Sequence, residues 1–214
     1  MKVPLSWIRE YVDVTLTPDE LGHRLTMAGL ETLGIETIGE NWDNVVVGQV
    51  ENDSESYTLG LNKNSGVNLW RLDRPKAANW TSPVLLRSGL VALQSKQGVT
   101  AIHTADGSKA WSYDGGASTI PSSSVSEGVL YIPSHGITAL KLNQADITNT
   151  PEQLWQSNRL SPATASPLVL GDKVFTVNSA GVLTAGNIKN GDRLWQLRLK
   201  GPFSATPVAA GKYL

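Results

Sequence analysis

Several side chains in this sequence are of types that could do chemistry. Asp106 and Asp192 sit in two similar phrases, IHTADGSKAW and NIKNGDRLW. Free carboxylates could hold a calcium ion or move a proton. Here each adjoins a glycine in a turn-like string, so the structural reading is favoured. His103 and His135 could ligate a metal, but they fall in different repeats without ligand spacing. His23 stands alone on a predicted helix and reads as a surface or packing residue. Ser122, Ser123 and Ser124 could offer a nucleophile. They lack a nucleophile elbow and an assignable base, so turn chemistry is favoured. Cysteine is absent, which removes disulfides, thiolate zinc sites and cysteine nucleophiles. Asn52-Asp53-Ser54 and Asn79-Trp80-Thr81 fit the glycosylation sequon, which matters only in a eukaryotic secretory setting. The sequence therefore assigns no catalytic residue, no metal ligand and no cofactor-binding residue, and no cofactor is expected.

The elements that would carry these residues are set by a repeat. Trp70, Trp111, Trp155 and Trp195 follow one another at 41, 44 and 40 residues. Each ends a related phrase: LNKNSGVNLW, IHTADGSKAW, LNQADITNTPEQLW and NIKNGDRLW. In three of these an Asn or Asp lies next to or near a Gly shortly before the Trp, which predicts a tight turn between two short strands. The Trp then lies on the following strand and fills the gap between neighbouring sheets. About ten residues later come TSPVLL, PSSSVSEGVL, ASPLVL and ATPVAA. These predict the start of the next unit, where a proline costs no ladder hydrogen bond. Short alternating runs of this kind at a period of about 40 predict β-propeller blades. Trp80 is out of register with the periodic tryptophans; packing against a blade start is the favoured reading, and surface contact with a ligand or protein is the alternative. Trp7 and Trp42 are expected to pack in the N-terminal part.

That N-terminal part has a different pattern. VTLTPDELGHRLTMAGLE supplies Thr17 as N-cap, Pro18 in the first turn, Glu20 at the capping-box position and Gly29 as a stop, and predicts a helix over 18–28. Residues 33–38 read as a strand. Residues 1–41 carry three basic and seven acidic side chains, and the remainder fifteen and twelve. No dense basic stripe exists, so charge does not favour nucleic acid as a partner. The first residues, MKVPLSWIREYVDV, are interrupted by charges and lack a signal-peptide pattern. No apolar run approaches a membrane span. The compartment stays open on these grounds.

Two families are resembled. MKVPLSWIREYVDV, TPDELGHRLTMAGLE, GIE and NVVVGQV resemble the start of the bacterial phenylalanyl-tRNA synthetase β subunit over residues 1–50. The family's continuation after Val50 is absent, so its editing and tRNA-contacting residues do not carry over. The Trp phrases resemble the pyrroloquinoline-quinone-type (PQQ-like) propeller repeat over residues 45–214, with the third phrase expanded near residues 147–151 and lacking its glycine. That repeat occurs in quinone-dependent dehydrogenases, in the scaffold lipoprotein of outer-membrane barrel assembly and in other exported proteins. NVVVGQV suits both families, which gives the chain the look of a chimera.

The resulting expectation is a mainly β protein: a partial propeller of about four PQQ-like blades over 42–214, with a small N-terminal α/β appendage over 1–41. An incomplete ring leaves open edges, so an open arc, association between copies or a truncated sequence is expected. The leading functional expectation is a non-catalytic scaffold that binds a protein or small ligand through blade loops. The alternatives are part of a PQQ-dependent dehydrogenase and a synthetase β-chain role carried by the N-terminus.

Overall fold

The computed structural model describes residues 5–32, 34–35, 45–87, 89–143 and 149–210. The chain divides into two compact units, Met1–Asn41 and Trp42–Leu214.

In the first unit, α1 spans Leu5–Tyr11 and α2 spans Pro18–Met27. The sequence signals for α2 act as expected. Thr17 Oγ1 accepts the Glu20 N–H at 3.3 Å, and the Thr17 N–H donates to Glu20 Oε2 at 2.9 Å, closing a capping box that satisfies two amides. At the other end Gly29 adopts φ +90°. The Gly29 N–H donates to Thr26 O at 3.0 Å and the Leu30 N–H to Leu25 O at 2.9 Å, a Schellman ending. The sequence reading did not anticipate α1. The strand expected over 33–38 lies mostly outside the described residues, and Gly34 and Ile35 carry no strand. Trp42 and the side chain of Trp7 are likewise outside what is described.

The second unit is a series of antiparallel sheets. Sheet I is β1 (Val45–Glu51), β2 (Ser56–Asn62) and β3 (Asn68–Asp73). Sheet II is β4 (Val84–Arg87), β5 (Leu90–Ser95), β6 (Gly98–His103) and β7 (Lys109–Tyr113). Sheet III is β8 (Ser124–Ser126), β9 (Val129–Ser134), β10 (Gly136–Lys141) and β11 (Glu152–Ser157). Sheet IV is β12 (Leu168–Leu170), β13 (Lys173–Val177), β14 (Val182–Asn187) and β15 (Arg193–Arg198). Every sheet is a simple up-and-down meander. The first strands β4, β8 and β12 lie beside one another, so sheets II, III and IV stack face to face like blades around an axis.

The core lies between the blades. Val91, Leu93 and Ile102 of sheet II pack with Val47, Trp70 and Leu72 of sheet I. Leu90, Ala92, Val99, Ala101 and Trp111 pack with Leu130, Ile132 and Leu140 of sheet III. Tyr131, Ile137, Ala139 and Trp155 pack with Val174 of sheet IV. The alternating faces of each blade thus feed two successive interfaces, and the architecture is the partial propeller of PQQ-like blades that the repeat implies. Pro83 and Pro167 stand immediately before β4 and β12, where neither interrupts a ladder.

Candidate functional site

The periodic tryptophans build the seams. Trp70, Trp111, Trp155 and Trp195 all lie on the last strand of their sheet. Opposite them stand Gly60, Ala101, Ala139 and Ala185. Directly after each of these small residues the register shifts by a bulge, which re-aims the strand locally. Trp70 Nε1 donates to Thr104 O of sheet II at 2.8 Å, and Trp155 Nε1 donates to Ile188 O of sheet IV at 2.8 Å. Each acceptor lies three residues before a turn glycine. A Cβ added at Gly107 would sit 2.7 Å from the Trp70 ring, and one at Gly191 would sit 2.5 Å from the Trp155 ring. Both glycines also hold positive φ, +72° and +71°, so no other residue fits without strain. The repeat phrase therefore encodes both halves of a joint: the Trp that plugs forward and the turn that receives a plug. The turn of sheet III runs through residues 144–148, outside the described residues.

A second seam runs along the blade starts. The Ser82 N–H donates to Ser122 Oγ at 2.9 Å, the Ser122 N–H to Ser166 Oγ at 2.9 Å, and the Ser166 N–H to Thr206 Oγ1 at 3.0 Å. Ser124 Oγ adds a bond to Pro167 O at 2.5 Å. The hydroxyls of Ser122, Ser166 and Thr206 each satisfy an amide that approaches a strand without a ladder partner. The sequence reading favoured turn chemistry for the serine run; Ser122 instead bridges neighbouring sheets, because its bonding partners lie about forty residues away. The recurring Ser or Thr at 82, 122, 166 and 206 was the signal available for it.

The connectors hold a buried polar cluster that the sequence reading did not single out. Gln94 is buried; its Nε2 donates to Ser118 O at 2.5 Å and Pro121 O at 2.9 Å. Its Oε1 accepts from Ser123 N at 2.9 Å and Ser123 Oγ at 2.6 Å, so its full bonding capacity is used. Beside it Arg74 and Glu51 form an ion pair with both side chains almost fully buried. Asn79 Nδ2 donates to Glu51 Oε2 at 2.5 Å and to Gln94 O at 2.8 Å. The Asn79 amide of the second sequon is therefore engaged in this cluster. Asn52 Oδ1 closes its own turn by accepting from Ser54 N and Glu55 N at 2.8 and 2.7 Å.

The remaining candidates are dispersed. Asp106 Oδ1 accepts from Ser108 N at 2.9 Å and Ser108 Oγ at 2.6 Å, and these bonds hold its carboxyl below the ordinary aspartate value. Asp192 Oδ2 accepts from Asn190 Nδ2 at 2.7 Å. Both acids lie in turns of different sheets. His103 ends β6, His135 is exposed between β9 and β10, and His23 is exposed on α2. Among the described residues no three His, Cys, Asp or Glu side chains gather into a metal-sized group. Trp80 departs from the expectation that it packs against a blade start: it is 67% exposed. Its backbone N–H donates to Thr119 O at 2.7 Å in the next connector, which fixes the main chain while the ring projects outward. Ile120 follows Thr119 and is 46% exposed. No helix among the described residues is long and apolar enough to cross a membrane.

Comparison with known proteins separates the same two parts. A stretch of 50 residues is 52% identical to the phenylalanine–tRNA ligase β subunit of Protochlamydia amoebophila, covering 23% of this chain and 6% of that protein. A stretch of 51 residues is 47% identical to the Moorella thermoacetica subunit, with 24% and 6% covered. The chain thus spans a small fraction of these curated relatives. In solved structures, BamB from Moraxella catarrhalis aligns with TM-score 0.58 at 21% identity, covering 73% of this chain and 46% of that one. The computationally designed Ika8 protein aligns with TM-score 0.62 at 13% identity, covering 80% and 52%. Both likenesses are of fold. The family model described as outer membrane protein assembly factor BamB matches residues 43–213. With four successive sheets, two of their junctions built on the repeat's own tryptophan and glycine, and that match across most of its length, the chain belongs to the BamB family of PQQ-like propeller proteins.

Proposed function

We propose that this chain is a non-catalytic propeller scaffold that holds a protein partner during outer-membrane protein assembly. The observation that carries the reading is Trp80, a large aromatic 67% exposed on a connector whose backbone is fixed. Ile120 lies in the corresponding place of the next connector. Aromatic side chains on rigid supports bury much area at little entropic cost, and so anchor protein interfaces. The family description supplies the process. The chemical candidates point the same way: Asp106, Asp192 and Ser122 each spend their polar atoms on turns or seams. A dehydrogenase role would require acids free to hold a cation.

The test is site-specific photocrosslinking in cells. A photoreactive residue replacing Trp80 or Ile120 is expected to trap one defined component of the outer-membrane assembly apparatus. The same residue at Leu170, exposed at the end of β12, is expected not to trap it. Equal labelling at all three positions, or none at 80 and 120, would overturn the proposal.

A further inference from the structure

The connectors that carry Trp80 and Ile120 are both tied to one buried residue. Trp80 lies between β3 and β4, and Ile120 between β7 and β8. Gln94 of β5 holds the first connector by its backbone. Its carbonyl accepts from Asn79 Nδ2 at 2.8 Å, Arg74 Nη2 at 3.3 Å and Thr81 Oγ1 at 3.4 Å. It holds the second connector by its side chain. Nε2 donates to the carbonyls of Ser118 and Pro121, and Oε1 accepts from both the amide and the hydroxyl of Ser123. Trp80 thus stands between two side chains anchored on Gln94, and Ile120 between residues whose carbonyls and amide Gln94 pins. The bond from the Trp80 N–H to Thr119 O joins the two connectors directly.

The other sheets lack this clamp. The ladder registers put Gln49, Pro133 and Val177 in the place of Gln94 on sheets I, III and IV. Pro133 and Val177 have no side-chain amide. Gln49 has one, but the hydroxyl seam makes Ser82 the counterpart of Ser122, so Pro83 stands where Ser123 stands one connector later. Proline supplies neither an N–H nor a hydroxyl, and the buried Gln49 amide makes no hydrogen bond. The same seam makes Trp80, Ile120, Thr164 and Ser204 counterparts, each two residues before a seam member. All four are exposed. They are large and apolar in the two connectors that Gln94 holds, and small hydroxyls in the next two. A strand interior favours Val or Leu over a buried amide, which is tolerated only when all its bonds are made. Here those bonds go to the connectors that present apolar side chains.

We infer that Gln94 is a positioning residue for protein binding: it fixes Trp80 and Ile120 as one prebuilt apolar surface before a partner arrives. The inference rests on the reading of Trp80 and Ile120 as partner contacts. With both connectors already ordered, association loses little conformational entropy at the interface. Releasing them from Gln94 moves that loss into the binding step while both contact side chains stay unaltered.

Gln94→Met keeps the length of the side chain and removes its hydrogen bonds to Ser118, Pro121 and Ser123. Hydrogen exchange of the purified chain is expected to quicken about tenfold at the Trp80 and Ser123 amides, and to change by less than about twofold inside β6 and β10. In cells, with the photoreactive residue at position 120, cross-linking to the component trapped by the parent chain is expected to fall about fivefold per folded molecule. Val174→Ala, a core truncation between sheets III and IV, controls for lost stability and is expected to leave the cross-link unchanged. Ser123→Ala removes one bond of the clamp and decides the matter should Gln94→Met not fold. The same two changes are expected from it, each about threefold. Unchanged exchange at Trp80 and Ser123 in both variants overturns the inference, because the clamp then does not hold the connectors. Faster exchange with undiminished cross-linking overturns it as well, as does an equal loss of cross-linking in Val174→Ala. No cross-link from the parent chain itself is the separate failure of the partner reading, and the inference falls with it.

Discussion

Trp155 and Trp195 occupy the same place in successive sheets and differ in what lies over them. Trp155 is sealed by the Gly191 turn and bonded to Ile188 O, while Trp195 meets Phe175 of its own sheet and is 40% exposed. Replacing Trp155 with Ala removes a buried ring and leaves a cavity, at a cost of about 3–5 kcal/mol. Replacing Trp195 removes exposed surface, and its expected cost to the isolated chain is below about 1 kcal/mol. Urea titrations of the two variants separate these costs. At this scale the sequence was legible wherever a residue recurred. The period of the tryptophans gave their strand and their packing role, and the Asn/Asp–Gly strings gave the turns. It was illegible where a side chain's environment depends on which connector passes by. Gln94 is a single glutamine in a strand until residues 118–123 wrap around it. Trp80 looks like packing until its connector is seen to turn it outward.

Strands and connectors are held by different bonds. Within a blade the ladders are continuous and local. Between blades, along the starts of β4, β8 and β12, single hydroxyls bridge amides about forty residues apart. Ser122→Ala leaves the Ser82 N–H without its acceptor, a loss of about 1 kcal/mol. Hydrogen exchange at that amide should accelerate about fivefold, with the amides inside β5 and β6 unchanged. Uniform acceleration across sheet II would mean that the bond supports the blade and not the seam. The strand pattern was readable because turn chemistry and alternation agree on it. The three-stranded state of sheet I was not: β1 reads as an ordinary strand, and only pairing shows that among the described residues it has a strand on one side alone. The capped helix α2 was readable from four residues. The shorter α1 was not, because MKVPLSWIREY offers no comparable cap.

The whole propeller part is a stack in which each sheet rests on its neighbours alone, and stability in such arrays is a sum of units and nearest-neighbour contacts. Among the described residues, sheets II and III each pack against two neighbouring sheets, and sheets I and IV against one. Native-state exchange of the monomeric chain should therefore show slower exchange in β5, β6, β9 and β10 than in β1, β2, β13 and β14. Equal protection throughout would indicate one cooperative block. The fold class was available from the period before any coordinates, because a forty-residue repeat with one Trp allows few solutions. The surface proposed to meet a partner was not, since it lies on connectors that the repeat does not constrain.

The pairing of a forward Trp with a receiving glycine turn also bears on how such a chain changes over generations. Each unit of about forty residues ends in the same plug, and sheets II and IV carry the same glycine socket. Copying one unit, or deleting one, brings together halves that already match. Gene duplication and unequal exchange can therefore lengthen or shorten the array without inventing a new interface, and sheets of different ancestry can be spliced at any seam that keeps the Trp and the glycine.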